Sequence, residues 1–135
     1  MLGKTVLIID DEPRLQTVLQ MTLEIMGQWS VLLATNGEIG ITIALEQQPD
    51  AILLDMMLPD MNGLETLAKL RDSSFGQEIP VIILSAKDRP VSDEQIDSYK
   101  ISGVLEKPFD PLLLSDQIYN LLGWSSLGAV DSSVN

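Results

Sequence analysis

The sequence predicts an α/β fold: a doubly wound, five-stranded parallel sheet with helices on both faces. Two observations carry that expectation. Five short, β-rich runs are too continuously apolar for a sheet with one wet face, so they read as parallel strands covered on both sides. Each run is followed by a segment with helical start and stop signals, and five β-then-α units in 135 residues imply a doubly wound sheet.

The units follow in order. Residues 5–9 form the first apolar run, and the helix after it covers residues 13–26, with Pro13 at a first-turn position and Gly27 as the stop. Its Leu15, Val18, Leu19 and Met26 recur at near-helical spacing. A second strand over residues 29–34 precedes a helix over 37–47, and a third over 51–54 precedes a helix over 63–72. Pro59 restrains the chain between those last two, and Asn62-Gly63 reads as a left-handed turn into the helix. The fourth strand, 80–84, is followed by a helix from 91 or 92 to 99, and the fifth, 103–106, by a helix over 111–122. The tail 123–135, "GWSSLGAVDSSVN", lacks a sustained period and is expected to be flexible or a loose strap, with partner binding as the alternative.

Composition narrows the function. A chain of 135 residues fits one domain, able to bury roughly 68–70% of its unfolded surface without a disulfide or metal staple. Cysteine is absent, which excludes disulfides and thiol chemistry, and histidine is absent, which excludes a His ligand, a His base or a phosphohistidine of its own. There is no signal-peptide pattern and no apolar run near the roughly 20 residues that span a bilayer, so a soluble cytoplasmic protein is expected. A net charge of −12 disfavours nucleic acid and anionic membranes and suits divalent cations or basic partners.

Polar residues cluster where open α/β sheets bind ligands, at the carboxyl ends of the strands. In "VLIIDDEP" Asp10 and Asp11 end the first strand; Asp55 ends the third, Ser85 the fourth and Lys107 the fifth. Singly, an Asp after a strand is usually a turn or cap residue. Together these five would converge on one sheet edge. Carboxylates from two strands make a hard oxygen site suited to magnesium, which accepts one or two carboxylates plus phosphate oxygens. An Asp carboxylate can also attack phosphorus to give an aspartyl phosphate, while a Lys ammonium and a Ser hydroxyl stabilise charge on the phosphoryl oxygens. The adjacent anions are then tolerable because a divalent cation and Lys107 offset them.

From about residue 4 to 122 the sequence resembles the receiver domain of two-component response regulators, through "IIDDEP", "ILLDMMLPDMNG", "SAKD" and "EKPF" in that order. The resemblance implies the flavodoxin-like receiver fold with strand order 2-1-3-4-5 and a receiver domain over residues 1–122. It implies that Asp55 accepts a phosphoryl group from a sensor histidine kinase or histidine phosphotransfer protein. Asp11 and Asp55 would bind Mg2+ with the backbone carbonyl of Met57, and Asp10 would support the metal through water. Lys107 would bind the phosphoryl group, Ser85 would sense it, and Pro108 would form a cis-proline turn. Met57 and Lys87 would flank the group and set its lifetime, while the side chains of Met56, Met57, Leu58 and Met61 otherwise read as adaptable loop packing rather than a ligand box.

Two positions depart from the family pattern. Val104 stands where an aromatic switch residue is usual, so the switch is expected to be weak or to use smaller loop and helix shifts. Lys100 stands where Gly is usual, and Tyr99 reads as a packed helix-end residue. With only the short tail after the receiver, a standalone regulator is expected, docking an unknown downstream protein through its fourth helix, fifth strand and fifth helix or passing phosphate to a histidine protein. Dimerisation through that face is allowed but not compelled. The alternatives are a phosphorylation-independent docking module and a magnesium phosphohydrolase; against the latter, "DDEPR" lacks the "DxDxT" pattern of one such superfamily.

Overall fold

The computed structural model describes residues 3–86 and 88–124. Ten elements alternate: β1 (Thr5–Ile9), α1 (Pro13–Ile25), β2 (Ser30–Ala34), α2 (Gly37–Gln47), β3 (Ala51–Asp55), α3 (Gly63–Arg71), β4 (Val81–Ala86), α4 (Asp93–Ser98), β5 (Gly103–Lys107) and α5 (Pro111–Leu122). The strands form one all-parallel sheet in the order β2-β1-β3-β4-β5. The order reverses between β1 and β3, and ligands of such sheets bind in the crevice at that point.

The side-chain period of two explains why the central strands are apolar throughout. Val6 and Ile8 of β1, Leu53 of β3 and Ile82 and Leu84 of β4 pack with Leu19 and Leu23 of α1 and Leu114, Ile118 and Tyr119 of α5. The alternate residues Leu7, Ile9, Ile52, Leu54, Val81 and Ile83 pack on the other side, with Ala44 of α2 and Leu67 and Leu70 of α3. All but the first residue of β1 and the last of β4 in these three strands therefore leave water, at about 25 cal/mol per Å² of apolar surface. Among the described residues no helix is long and apolar enough to cross a membrane.

Several local expectations change. Trp29 precedes β2 rather than belonging to it: its amide donates to Leu23 O at 3.1 Å, and its buried ring meets Tyr119 edge-on at 4.8 Å. On α1, Leu19 and Leu23 face the core while Val18 is exposed, because a neighbouring residue is displaced by about 100° around the helix; Met26, also exposed, is the C-cap that ends it. The Asn62-Gly63 reading is also corrected. Asn62 is the extended N-cap of α3, at φ −81° and ψ 170°, and Gly63 is already helical, so neither is left-handed. Glycine is required there for closeness instead: a Cβ would lie 2.7 Å from Asp55 O and 2.9 Å from Met56 Cα. The tail 125–135 and Lys87 lie outside the described residues.

At the end of the sheet opposite the strand termini that carry the Asp residues, Arg71 binds four carbonyls. Its Nη1 donates to Gly76 O and Ile79 O, each at 2.7 Å, its Nε to Tyr99 O at 3.1 Å and its Nη2 to Lys100 O at 3.0 Å. The last residue of α3 thus ties together the approach to β4 and the turn into β5. Lys100 itself adopts the left-handed conformation, φ 55°, that explains why glycine would suit this position. Tyr99, half-buried, packs against the α2–α3 side of the core.

Candidate functional site

β1, β3, β4 and β5 all end at the same edge, and their last residues supply the polar groups. Asp55, Ser85 and Lys107 lie within their strands, one or two residues further along than the apolar pattern alone predicted. Asp10 follows β1 immediately and is held from both sides. Its Oδ1 accepts from Glu12 N at 2.8 Å, and Gln16 of α1 donates through Nε2 to Asp10 O at 2.8 Å and to Ala34 O at 2.9 Å. Pro13, at the first turn of α1, fixes where that helix starts.

Asp10, Asp11 and Asp55 each place a carboxylate oxygen within 4.8 Å of the others. Asp10 and Asp55 are buried and Asp11 is exposed. Lys107 Nζ bridges the two buried carboxylates, 3.3 Å from Asp55 Oδ1 and 3.6 Å from Asp10 Oδ2. Burial raises the Asp10 carboxyl from 3.8 to about 6; the Glu12 amide opposes this, Asp55 and Asp11 add to it, and Lys107 opposes it. One ammonium does not balance three carboxylates.

Two buried oxygens remain without a hydrogen-bond partner among the described residues, Asp10 Oδ2 and Ser85 Oγ. Buried polar atoms are normally satisfied, so this pair marks a place built for something else. Hard oxygen donors from two strands, one of them orphaned, fit a magnesium ion.

The β3–α3 loop is tied down on its far side. Met57 bridges Asn62, Asn62 and Glu65 form a reciprocal capping box, and Asp60 accepts from the first amides of α2, Gly37 N at 2.8 Å and Glu38 N at 3.0 Å. Those two bonds hold the Asp60 carboxyl below its ordinary value. Met56 and Leu58 pack against the core, as expected of loop packing, whereas Met57 is exposed.

A cleft of about 250 Å³ opens over Asp55, lined by Met56, Met57, Asn62, Ala86, Arg89 and Lys107 as well. A second cavity of about 620 Å³ reaches from Ser85 past Val91, Ile96 and Val104 to Phe109. Val104 is half-buried and lines it. The Lys107-Pro108 bond is cis. Arg89 was not expected at the cleft; its one sequence signal is a cation placed four residues after Ser85, in a segment whose path from β4 to α4 no local pattern specifies.

Comparisons with known proteins agree with this geometry. The family model described as "Response regulator receiver domain" matches residues 6–119. The chain is 38% identical over 130 residues to the probable transcriptional regulatory protein TcrX of Mycobacterium tuberculosis, covering 95% of this chain and 53% of that protein. It is 34% identical over 113 residues to the phosphate regulon transcriptional regulatory protein PhoB of Pseudomonas aeruginosa, covering 82% and 48%. The chain thus spans about half the length of the curated relatives it matches. Among solved structures, the chemotaxis response regulator CheY4 of Vibrio cholerae superposes with a TM-score of 0.80 at 25% identity, over 88% of this chain and 98% of that one. The receiver domain of the sensor histidine kinase PA1611 from Pseudomonas aeruginosa, which holds a magnesium ion in its active-site cleft, gives 0.78 at 29% identity, over 90% and 98%. An α/β sheet in the order 2-1-3-4-5, an acidic cluster at its switch point and a family match over most of the chain establish that this protein belongs to the receiver domains of two-component response regulators.

Proposed function

We propose that the protein is a phosphoryl-accepting switch in which Asp55 takes the phosphoryl group of a phosphohistidine on a sensor kinase or phosphotransfer protein. The observation that carries this reading is the convergence of three carboxylates, the two buried ones bridged by Lys107, beside the unpartnered buried hydroxyl of Ser85. A carboxylate oxygen of Asp55 bonds to phosphorus as the P–N bond breaks, and the electron pair leaves on the imidazole nitrogen of the donor. Asp55 Oδ1 is held by Lys107 and, more loosely, by Met57 N at 3.4 Å, which orients the carboxylate before attack. Asp11, Asp55 and the Met57 carbonyl would hold Mg2+, with Asp10 supporting it through water, and the ion would supply charge neutralisation. Lys107 then contacts the phosphoryl group, and Ser85 Oγ gains in it the partner that it lacks.

The output is a population shift. Moving it from 1:99 to 99:1 requires about 5.5 kcal/mol of differential stabilisation, within reach of two or three charge-assisted contacts at roughly 1.5–3 kcal/mol each. Motion of Ser85 toward the phosphoryl group is transmitted through the cavity beside Val104 to α4, β5 and α5, where a downstream protein docks. With no aromatic ring at Val104 to relocate, the shift runs through the β4–α4 segment.

Intact-protein mass after incubation with acetyl phosphate, with and without Mg2+, tests the reading. A magnesium-dependent gain of one phosphoryl group, lost in Asp55→Asn, is the expected result. No gain in the parent overturns it and favours a phosphorylation-independent docking module, the second reading, for which the valine at 104 is the specific support.

A further inference from the structure

We propose that Arg89 is a second cationic ligand of the phosphoryl group, its guanidinium leaving the Met57 thioether to take phosphoryl oxygens at the mouth of the Asp55 cleft. The proposal rests on the reading of Asp55 as the acceptor. Arg89 lines the same cleft as Asp55 and Lys107. Its position is fixed by the turn that follows β4, where Arg89 N donates to Ala86 O at 3.1 Å. The side chain reaches across the cleft to the loop after β3, with Nη1 3.6 Å from Met57 Sδ.

That resting contact is a poor one for a guanidinium. A thioether sulfur is a weak acceptor, and Arg carries five donors in a planar fork that matches phosphate bidentately. No carboxylate among the described residues lies within ion-pair distance of Arg89. Little is therefore lost when it turns to an anion.

Charge balance asks for such a cation. Lys107 is already shared between Asp10 and Asp55. Phosphorylation exchanges the single charge of the Asp55 carboxylate for about −1.5 to −2 on the phosphoryl group, so the site gains negative charge just where Lys107 is most divided. Arg89 would also carry the event outward, because it sits on the segment that joins β4 to α4 and a contact made there pulls that segment toward the site.

The test uses beryllofluoride as a phosphoryl mimic, titrated in the presence of Mg2+ against the parent, Arg89→Ala, Arg89→Lys and Asp55→Asn, with Mg2+ affinity measured separately without the mimic. One charge-assisted bond predicts a loss of roughly 10-fold or more in beryllofluoride affinity for Arg89→Ala. Arg89→Lys should recover part of that loss as a point charge, and Mg2+ affinity should be unchanged or tighter in both. Beryllofluoride affinity within twofold of the parent in Arg89→Ala overturns the proposal, and so does a parallel fall in Mg2+ affinity, which would mark general damage to the site. Failure of the parent itself to bind the mimic, with Asp55→Asn no different, would instead overturn the acceptor reading.

Discussion

The two ends of the sheet treat buried polarity in opposite ways. At the amino ends of β4 and β5, one guanidinium answers four carbonyls with four of its five N–H donors, and the turn around Gly76 and Lys100 is closed. At the carboxyl ends, three carboxylates gather around one ammonium, which pairs with two of them, and Asp10 Oδ2 and Ser85 Oγ have no hydrogen-bond partner among the described residues. The same strands run through both regions. The difference teaches that the scaffold is satisfied where it only has to hold, and left in deficit where a ligand is to complete it.

Breaking the satisfied end should have the largest effect. Arg71→Ala removes four bonds at roughly 1 kcal/mol each, so stability should fall by about 3–4 kcal/mol in urea denaturation, and Arg71→Lys should not restore it because a point charge cannot span the four carbonyls. A loss below 1 kcal/mol would show that the clamp merely decorates loops held by other contacts. The folded fraction of Arg71→Ala should still take a phosphoryl group.

The deficient end should respond with the opposite sign. The Asp10 carboxyl is raised to about 6 in the folded protein from 3.8, so between those values the folded state binds more protons than the unfolded one. Its contribution is therefore favourable at low pH and is lost as pH rises through about 6, by roughly 3 kcal/mol in the metal-free protein. Asp10→Asn keeps the bond from Glu12 and removes the charge. It should stabilise the metal-free protein by roughly 2–3 kcal/mol at pH 7, flatten stability between pH 4 and 7, and weaken Mg2+ binding at least 10-fold. Thermal melts across pH with and without Mg2+ would show this; a destabilised variant at pH 7 would mean that Lys107 already balances Asp10.

The smallest effect tests the clamp's neighbour. Lys100→Gly relieves a left-handed residue and should gain roughly 0.5–1 kcal/mol, with phosphorylation unchanged. A loss would mean that Lys100 contributes more than its backbone shape, since its pairing with Glu78 is long, at 4.0 Å, and exposed.

Much of this architecture is legible in one sequence because its signals are local. Short apolar runs locate all five strands, and Pro13, Gly37, Pro111 and a start at 91 or 92 locate helices within a residue or two. The strand-end Asp, Ser and Lys residues are legible for the same reason, since a strand must end somewhere and the residue there is exposed to the crevice. The misreadings involve distance. Asn62-Gly63 has the composition of a left-handed turn, and only the approach of Asp55 O shows that glycine is there for space. Arg71 reaches residues 28 and 29 positions away, and Arg89 reaches one 32 away. No period or spacing announces such contacts, because long flexible side chains take their partners from the tertiary fold.

The bond from Asp60 to the start of α2 gives the site a fixed jaw and a moving one. The loop after β3 is bolted to a neighbouring helix, to its own capping box and to a bridge across its base. The segment after β4 leads instead into α4, a six-residue helix with no fully buried side chain. On the proposed reading, a phosphoryl group gripped between the jaws would leave the bolted one in place and draw the other inward, so the strain of phosphorylation would reach the molecule through α4 alone, as in a one-sided latch.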